Sequence, residues 1–307
     1  MNKINEQKKK QDEKKEQEKK RQQDKDYDIC LNQKFTEEEK SEKLTQLENE
    51  LTTFLKKYSL SVKFVDIKLD YIYSYDEKKV YYAASTIKML DAIYIYENAV
   101  NGNLDLDSSK KYTKNFKMPY SKGLEKYKID DNITLRNLVK YAITVSDNSA
   151  HQMLIDYIGF SKLKSFGNSL GAKNTLIGGD NFGQIDVNDS IIYLRELYNF
   201  IEENSELSSE LKSYFVESDE NFLKDEENDI EAATKYGEYD STFHNNGIVY
   251  AKNPYLLSIL TNLCKKKGSS TIQTINSKVK ELQKEAYENH TNYCHQKVYN
   301  VQNDWQR

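Results

Sequence analysis

One segment of the chain is apolar on almost every side of a predicted helix, and it constrains the fold more than any other. It is AASTIKMLDAIYIY, residues 83–96. A helix that lacks a polar face is normally buried inside its domain. The rest of the chain must therefore supply layers on both sides of this helix. The first turn of the same helix carries Ser85 and Lys88, three residues apart on one face.

Strand patterns lie near both ends of the chain, and helical patterns fill the part between them. Alternating apolar residues predict one strand through Val62–Leu69 and a second around Tyr71–Tyr75. Three further strands are predicted in ATKYGEYDS, TFHNNGIVYAK and YLLSILTNL, with turns at Gly237–Asp240 and Asn253–Pro254. Helical spacing predicts helices at 134–145, 148–159, 160–171, 188–201 and 206–216.

This order of elements predicts an α+β fold, an α/β sandwich with a mostly antiparallel sheet. One helix should run from a cap at Thr36 through Leu55, and a last long helix should begin near Thr271. These N- and C-terminal helices would flank the sheet. We expect residues 35–76 and 221–290 to form a discontinuous sheet domain and residues 77–220 to form an inserted all-helical domain.

The two ends of the chain differ from this pattern. Residues 1–26 are almost purely Lys, Glu, Gln and Asp without an apolar stripe, so a disordered or transiently helical charged tether is predicted over residues 1–34. Residues 291–307 are expected to form a C-terminal extension. No signal peptide of the basic-then-apolar type and no run of about 18 apolar residues is visible.

Charge and cysteine content argue against several classes of partner. The formal net charge of −4 gives no indication of nucleic-acid binding. Cys30, Cys264 and Cys294 are widely spaced and odd in number, so no disulfide framework is expected. The segment HTNYCH at 290–295 could bind a metal, but a solvated helix face is the favoured interpretation because no second ligand cluster accompanies it.

The Ser-x-x-Lys tetrad of Ser85 and Lys88 says little by itself. The same spacing occurs at Ser108–Lys111, Ser161–Lys164, Ser209–Lys212 and Ser277–Lys280. Its context sets the first copy apart, since it alone opens a buried helix after a strand pair. A helix N-terminus favours negative charge on the serine oxygen. Burial lowers the pKa of a lysine, and a neutral amine can accept the serine proton.

Two other short motifs accompany this tetrad in the chain. Ser146, Asp147 and Asn148 stand where one amphipathic helix ends and the next begins, where simple helix capping is the alternative interpretation. Lys235, Tyr236 and Gly237 lie on a predicted strand.

Taken together and in this order, the three motifs resemble the active-site signature of the serine β-lactamase and penicillin-binding protein superfamily. The likeness is greatest to class A β-lactamases and extends from about residue 40 to residue 285, including YYAASTIKML, TLRNLVKYAITVSDNSAHQMLIDYIG and NNGIVYAKNPYLLSILTN. This resemblance implies catalytic roles, substrate contacts and backbone donors for specific residues. The implied catalytic residues are Ser85 as nucleophile, Lys88 as general base or proton relay, Ser146 as the group that passes the proton toward the leaving nitrogen, and Lys235 as the positive charge near Ser146 and the substrate carboxylate. The implied substrate-binding residues are Asn148, Tyr236 and Gly237, and the implied oxyanion hole is formed by the backbone N–H groups of Ser85 and Glu238.

The chain departs from the class A pattern in two ways. Tyr236 stands where those enzymes have Thr or Ser to meet the substrate carboxylate. The class A glutamate that positions the deacylating water has no counterpart, since no Glu occurs between Asp156 and Glu196. The acids in the loop before residue 190 are Asp180, Asp186 and Asp189, for which turn formation or helix capping is the favoured interpretation.

The sequence therefore predicts a serine hydrolase that is acylated by a β-lactam or a related amide or ester and deacylates slowly. A D-alanyl peptide carboxypeptidase or esterase, acting on peptidoglycan-type peptides, is one alternative. A penicillin-recognising sensor or surface module without turnover is another. We expect no metal or organic cofactor, a small-molecule or peptide acyl substrate and a monomer. The resemblance implies an extracytoplasmic or cell-envelope location.

Overall fold

The computed structural model describes residues 2–203 and 205–300, and its centre is a five-stranded antiparallel sheet. The strands are β1 (Leu60–Asp66), β2 (Ile72–Tyr75), β7 (Ala232–Tyr239), β8 (Thr242–Val249) and β9 (Tyr255–Thr261). Their order is β2-β1-β9-β8-β7. The strand from the N-terminal part thus pairs with strands from the C-terminal part, as when Val62 lies opposite Ile259. The predicted α+β fold with an antiparallel sheet is confirmed.

Two layers of helices cover the sheet. The outer face packs against α2 (Glu42–Leu55) and α9 (Lys265–His295), and the residues of this core include Leu51, Phe64, Leu257 and Val279. The inner face packs against the helical region through Val65, Ala233, Ile248 and Leu256. Successive side chains of a strand point to opposite faces of the sheet, so the alternating pattern in the sequence assigns these two sets of residues to the two faces.

The helical region contains the buried segment from which the fold was inferred. Its helices are α3 (Lys88–Val100), α4 (Leu135–Thr144), α5 (Asn148–Ile158), α6 (Phe160–Ser169), α7 (Val187–Glu202) and α8 (Glu206–Val216). Helix α3 contacts α4, α5, α6, α7 and α8, which explains why it has no polar side. Helix α7 also contacts β1 and β9. The domain limits 35–76, 77–220 and 221–290 remain predictions.

Two small strand pairs tie loops to this framework. Strand β4 (Ser109–Lys111) pairs with β5 (Asn132–Thr134), and β3 (Tyr81–Tyr82) pairs with β6 (Gln184–Ile185). The second pair places the loop that ends at Gln184 beside the residues that precede Ser85.

The N-terminal segment differs from its prediction. Residues 2–31 form a helix, α1 (Asn2–Leu31), where a disordered or transiently helical tether was expected over 1–34. Lys, Glu and Gln are good helix formers, and tertiary contacts hold the end of the helix. Tyr27 packs against His295, and a disulfide joins Cys30 to Cys294. The cysteine count, from which no disulfide framework was expected, did not anticipate this single bond, because α1 packs along α9 and brings two distant cysteines together.

Several predicted element boundaries also shift. Thr36 caps only a short 3-10 turn, Glu37–Glu39, and Ser41 caps α2 with its side chain. Strand β7 continues to Tyr239, so the predicted turn at Gly237–Asp240 begins later. Helix α9 begins at Lys265 instead of Thr271 and extends into the predicted C-terminal extension, followed by a π-helical turn over 296–300. The remainder of that extension, 301–307, lies outside the described residues.

Across the described ranges 2–203 and 205–300, no helix combines the length and apolar content that crossing a bilayer requires.

Candidate active site

Ser85 lies in a tight turn between β3 and α3. The turn is a 3-10 helix, Ala84–Ile87, and α3 proper begins at Lys88, so Ser85 precedes the α-helix that it was predicted to open. Ala84 adopts a left-handed φ of 48°, a conformation that a non-glycine residue takes at a cost of about 1 kcal/mol. The backbone N–H groups at the start of such a helix lack intrahelical acceptors. The N–H of Ser85 belongs to that set.

Lys88 is fully buried one turn after Ser85 and reaches the Ser146-Asp147-Asn148 motif. Its Nζ lies 2.6 Å from the Ser146 carbonyl oxygen, 2.7 Å from Asn148 Oδ1 and 3.3 Å from Ser146 Oγ. Burial lowers the pKa of Lys88 to about 7, against the opposing influence of Asp147 and Asp91. Within the described residues, none of these bonds goes to the Ser85 hydroxyl. Catalytic hydrogen bonds are often long in free enzymes and shorten when substrate binds.

The neutral form of Lys88 fits these contacts well. A neutral amine has two N–H donors and one lone pair. The carbonyl oxygen of Ser146 and Oδ1 of Asn148 are both acceptors, and they occupy both donors. The lone pair is then available to accept a proton from a hydroxyl group.

The Ser146-Asp147-Asn148 motif is held by the turn between α4 and α5. Asp147 caps α5 by accepting from the backbone N–H of Ala150 at 2.8 Å, so the capping interpretation is correct for this residue. Ser146 has a left-handed φ of 56° and is buried. Asn148 donates from Nδ2 to the carbonyl oxygen of Pro119 at 3.0 Å.

Strand β7 completes the site from the edge of the sheet. Lys235 is fully buried, and its Nζ donates to Ser146 Oγ at 3.0 Å. Burial lowers the pKa of Lys235 well below its ordinary value, and the nearby Lys88 lowers it further. The hydroxyl of Ser146 therefore lies between two lysines that repel each other when both are charged. This arrangement favours one neutral and one protonated amine.

Gly237 allows β7 to approach the turn that carries Ser85. A Cβ at this position would lie 3.0 Å from the carbonyl oxygen of Ala83 and 3.0 Å from Thr86 Cγ2. Because β7 is the edge strand, alternate backbone N–H groups are not paired with β8. The backbone next to Glu238 thus runs beside the Ser85 turn, while the Glu238 side chain points outward, 3.7 Å from Lys265.

Tyr236 borders the site with its ring. Lys235 Nζ lies 4.1 Å from the centre of that ring. Burial raises the pKa of Tyr236 to about 12, with an interaction with Ser146 acting in the opposite direction. The phenol therefore occupies space beside Ser146 that a smaller hydroxyl residue would leave open.

The three loop aspartates are all engaged in local structure. Asp180 accepts from the backbone N–H groups of Phe182 and Gly183 at 2.8 and 2.7 Å. Asp186 caps α7 by accepting from the N–H of Asp189 at 2.8 Å. Asp189 in turn accepts from the N–H groups of Lys173 and Asn174 at 2.8 and 2.9 Å. These contacts agree with the interpretation that the aspartates form turns and caps.

An aromatic residue of this loop, Phe182, lies close to Lys88, and no sequence motif pointed to it. Lys88 Nζ lies 5.8 Å from the centre of the Phe182 ring. The pairing of β3 with β6 places this ring beside Tyr82, with 6.3 Å between the two ring centres.

A buried Asp–His pair next to Lys88 was also missed. His151 Nδ1 lies 2.5 Å from Asp91 Oδ2, and neither side chain is exposed to solvent. The signal for it was present, because Asp91 follows Lys88 by three residues and His151 follows Asn148 by three. The same spacing on two packed helices predicts a second contact one turn deeper.

The described residues contain no cluster of His, Cys, Asp and Glu that could hold a metal ion. In the segment HTNYCH, His290 and Cys294 are buried, so the expectation of a solvated helix face was wrong for both. His290 pairs with Glu39 at 2.6 Å, and Cys294 forms the disulfide.

Comparison with known families supports the resemblance seen in the sequence. A model described as the beta-lactamase enzyme family matches residues 46–283. No curated protein matches the chain at a significant level.

Solved structures show the same fold at low sequence identity. A beta-lactamase from Sphaerobacter thermophilus is 17% identical, with a TM-score of 0.66 over 77% of this chain and 95% of that one. A beta-lactamase from Chitinophaga pinensis is 16% identical, with a TM-score of 0.67 over 78% and 98% of the respective chains. A leucine-to-glutamate mutant of PBP-A, solved as an acyl-enzyme complex with penicillin G, is 18% identical, with a TM-score of 0.69 over 78% and 97%.

Proposed function

Because the chain belongs to the beta-lactamase enzyme family, we propose that it is a serine hydrolase that is acylated on Ser85. The observation that carries this proposal is the Ser146 hydroxyl, which lies within 3.3 Å of Lys88 Nζ and 3.0 Å of Lys235 Nζ. The pKa values of both lysines are lowered. Such a group can accept a proton and pass it on at neutral pH.

The proposed acylation uses each member of this group. The neutral amine of Lys88 accepts the proton of Ser85, whose Oγ attacks the substrate carbonyl carbon. The C–N bond of the amide then breaks, and the leaving nitrogen receives a proton through Ser146. Protonated Lys235 stabilises the negative charge on the substrate. The backbone N–H groups of Ser85 and Glu238 are the proposed donors to the oxyanion, and such a donor contributes roughly 3 kcal/mol to barrier lowering.

Substrate recognition is proposed for three residues that lie around the same group. Asn148 presents an amide toward Lys88 and the neighbouring loop, and it is proposed to hold the amide of the acyl side chain. Tyr236 takes the position next to Lys235 where a substrate carboxylate would bind, and Gly237 keeps the β7 backbone close enough to pair with the substrate. The bulk of Tyr236 is expected to weaken binding of a small carboxylate.

Deacylation is proposed to be slow. The carboxylates of the loop already accept backbone hydrogen bonds. The side chain that the loop places near Lys88 is Phe182, which cannot act as a base. A water molecule beside the Phe182 ring would have no carboxylate there to orient it and accept its proton. The acyl-enzyme should therefore persist.

Penicillin G is the first substrate to test, because PBP-A, a structure with this fold, is described as its acyl-enzyme complex. The alternative substrate is a D-alanyl peptide, and the alternative role is a sensor that is acylated without turnover. Slow deacylation favours the sensor, whereas the complete group of Ser85, Lys88, Ser146, Asn148 and Lys235 favours an enzyme. Product release distinguishes the two.

An extracytoplasmic location is proposed from the family resemblance and from the disulfide between Cys30 and Cys294. Disulfides persist in oxidising compartments and are rare in the cytosol.

The deciding experiment is intact-mass measurement after the protein is mixed with penicillin G, next to a Ser85→Ala variant. A single adduct that persists for hours and is absent from Ser85→Ala is the expected result. Rapid product formation without an adduct would contradict slow deacylation. An adduct that also forms on Ser85→Ala would rule out Ser85 as the nucleophile. If penicillin gives neither adduct nor product, the same assay with D-alanyl peptides and activated esters decides whether Ser85 is acylated at all.

A further inference from the structure

We propose that Asp91 and His151 are positioning residues that clamp the loop 179–183 over Lys88, and that this clamp excludes water from the acyl-enzyme. The inference rests on the proposed function, since it concerns the lifetime of the acyl group on Ser85. It assigns a role to the buried Asp–His pair, which the acylation steps do not use.

The pair lies directly beneath the proposed catalytic group. Helix α3 presents Lys88 and then Asp91, and helix α5 presents Asn148 and then His151. The first pair meets at 2.7 Å and the second at 2.5 Å. The two helices are thus joined at successive turns, first by the residues of the site and then by the Asp–His pair.

The imidazole connects this pair to the loop. His151 Nε2 lies 3.0 Å from the carbonyl oxygen of Asn181. A carbonyl oxygen only accepts hydrogen bonds, so Nε2 must carry the hydrogen. Nδ1 then either donates to the Asp91 carboxylate or accepts from a protonated Asp91, and the pair is neutral overall in both cases. The orientation of the ring is fixed from both sides.

Other contacts at the same point strengthen the connection. The amide of Asn181 donates to Gln152 Oε1 at 2.5 Å, and Gln152 follows His151 on α5. The rings of His151 and Phe182 lie 4.9 Å apart between their centres. Helix α5 thus holds two consecutive loop residues, and the second of them covers Lys88.

The loop has few other means of keeping this position. Gly178, Gly179 and Gly183 have φ values of 102°, 81° and 60°, which few other residues adopt. Residues 177–180 are exposed. The local hydrogen bonds of Asp180 shape the loop but do not attach it to the body of the protein. The contacts of His151 and Gln152, the short pairing of β3 with β6 and a hydrogen bond from the Ala83 N–H to the Gly183 carbonyl oxygen at 3.1 Å provide that attachment.

Stability alone does not account for the Asp–His pair. Burying two ionisable groups costs desolvation free energy, and apolar residues of similar size often join helices at least as well. Asp91 Oδ1 also has no hydrogen-bond partner among the described residues. A role in positioning the loop would explain why the protein keeps a buried Asp–His pair despite this cost in free energy.

The test replaces the pair by apolar residues of similar volume, Asp91→Val with His151→Leu, so that no unpaired charge stays buried. The matched control is Glu39→Val with His290→Leu, which removes a second buried His–carboxylate pair of the described residues, one formed between the turn at 37–39 and α9. Asp91→Asn serves as a second variant, since its amide can donate to Nδ1 while Nε2 still donates to Asn181.

Two measurements are made on each variant. The first is amide hydrogen exchange of residues 179–184, which does not depend on acylation. The double variant at Asp91 and His151 should exchange about tenfold faster there, while Asp91→Asn and the control double variant should match the wild-type protein. The second is the lifetime of the penicillin G adduct, which should shorten about tenfold in the Asp91/His151 variant and in Phe182→Ala. Combining the two changes should give no additional shortening, because they act through the same contact.

The outcomes separate the two proposals. Unchanged exchange in the loop would overturn the clamp. Faster exchange with an unchanged adduct lifetime would overturn its role in excluding water. Additive effects of Phe182→Ala and the double variant would overturn the shared mechanism. If the wild-type protein forms no acyl adduct with any probe, the proposed function fails, together with the role in excluding water, while the exchange measurement still tests the clamp.

Discussion

The rate at which Ser85 is acylated is expected to follow the titration of Lys88. Burial lowers the pKa of this lysine to about 7. At pH 7.5 such a lysine is roughly three-quarters neutral, whereas a solvated lysine is only about 0.1% neutral. At pH 6 the neutral fraction falls to about one-tenth, so the rate should be about eightfold lower than at pH 7.5. The sign follows from the mechanism, because only the neutral amine can accept the serine proton.

The assay is stopped-flow or quenched mass spectrometry of adduct formation with penicillin G between pH 5.5 and 9. The rate should rise through a midpoint near the pKa of Lys88 and fall again where Lys235 loses its proton, because burial lowers the pKa of Lys235 as well. Lys88→Arg keeps the positive charge but cannot deprotonate, so it should lower the rate by about 10²–10⁴-fold and remove the midpoint. Measuring the Cε chemical shift of Lys88 in Ser85→Ala locates its pKa independently of turnover.

A rate that stays constant between pH 5.5 and 8.5 would refute this reasoning. A rate that still rises about tenfold per pH unit at pH 9 would refute it as well, because Lys88 would then titrate as a solvated lysine.

Four other predictions concern single features of the structure. Tyr236→Thr should raise the second-order rate of acylation by penicillin G about tenfold, because a hydrogen bond from a small hydroxyl to a carboxylate contributes about 1.5–3 kcal/mol; Tyr236→Ala, measured alongside, should lack this gain. Phe182→Glu should shorten the lifetime of the adduct about 10²-fold by placing a general base near Lys88, and an equal effect from Phe182→Gln would contradict that explanation. Gly237→Ala should lower the free energy of unfolding by about 1–3 kcal/mol and slow acylation about tenfold, since its Cβ would lie 3.0 Å from the carbonyl oxygen of Ala83; denaturant titration and adduct kinetics measure both. Cys30→Ser should leave acylation unchanged and expose α1 to protease, and intact resistance of residues 2–31 would show that the disulfide does not hold this helix.

The order of strands and helices was predictable because it follows from local periodicity. The period-two patterns around Val62 and in 232–261 gave the sheet, and the apolar segment at 83–96 gave the buried helix. The proposed catalytic group was predictable in part, because Ser85 with Lys88 and Ser146 with Asn148 are short sequence motifs. The structure brings Lys88, Ser146, Asn148 and Lys235 into contact.

Other features depend on residues that are far apart in the chain. The disulfide between Cys30 and Cys294 joins residues 264 positions apart in the chain. No local sequence pattern predicts that α1 packs along α9. The same holds for the contact between Glu39 and His290, which lie near opposite ends of the chain.

The sequence by itself determined the fold class and the identities of the residues at the proposed site. Both follow from the spacing of apolar residues and of short motifs over a few helical turns or strands. The tertiary structure alone decided which protonation states those residues favour, since the lowered pKa of Lys88 comes from burial among distant elements. It also decided what covers Lys88. The approach of Phe182 arises from the packing of α3, α5 and a glycine-rich loop, whose relative positions no local pattern encodes. The contact of Asp91 with His151 has a local sign in the matching three-residue spacings, but it too forms only because α3 packs against α5.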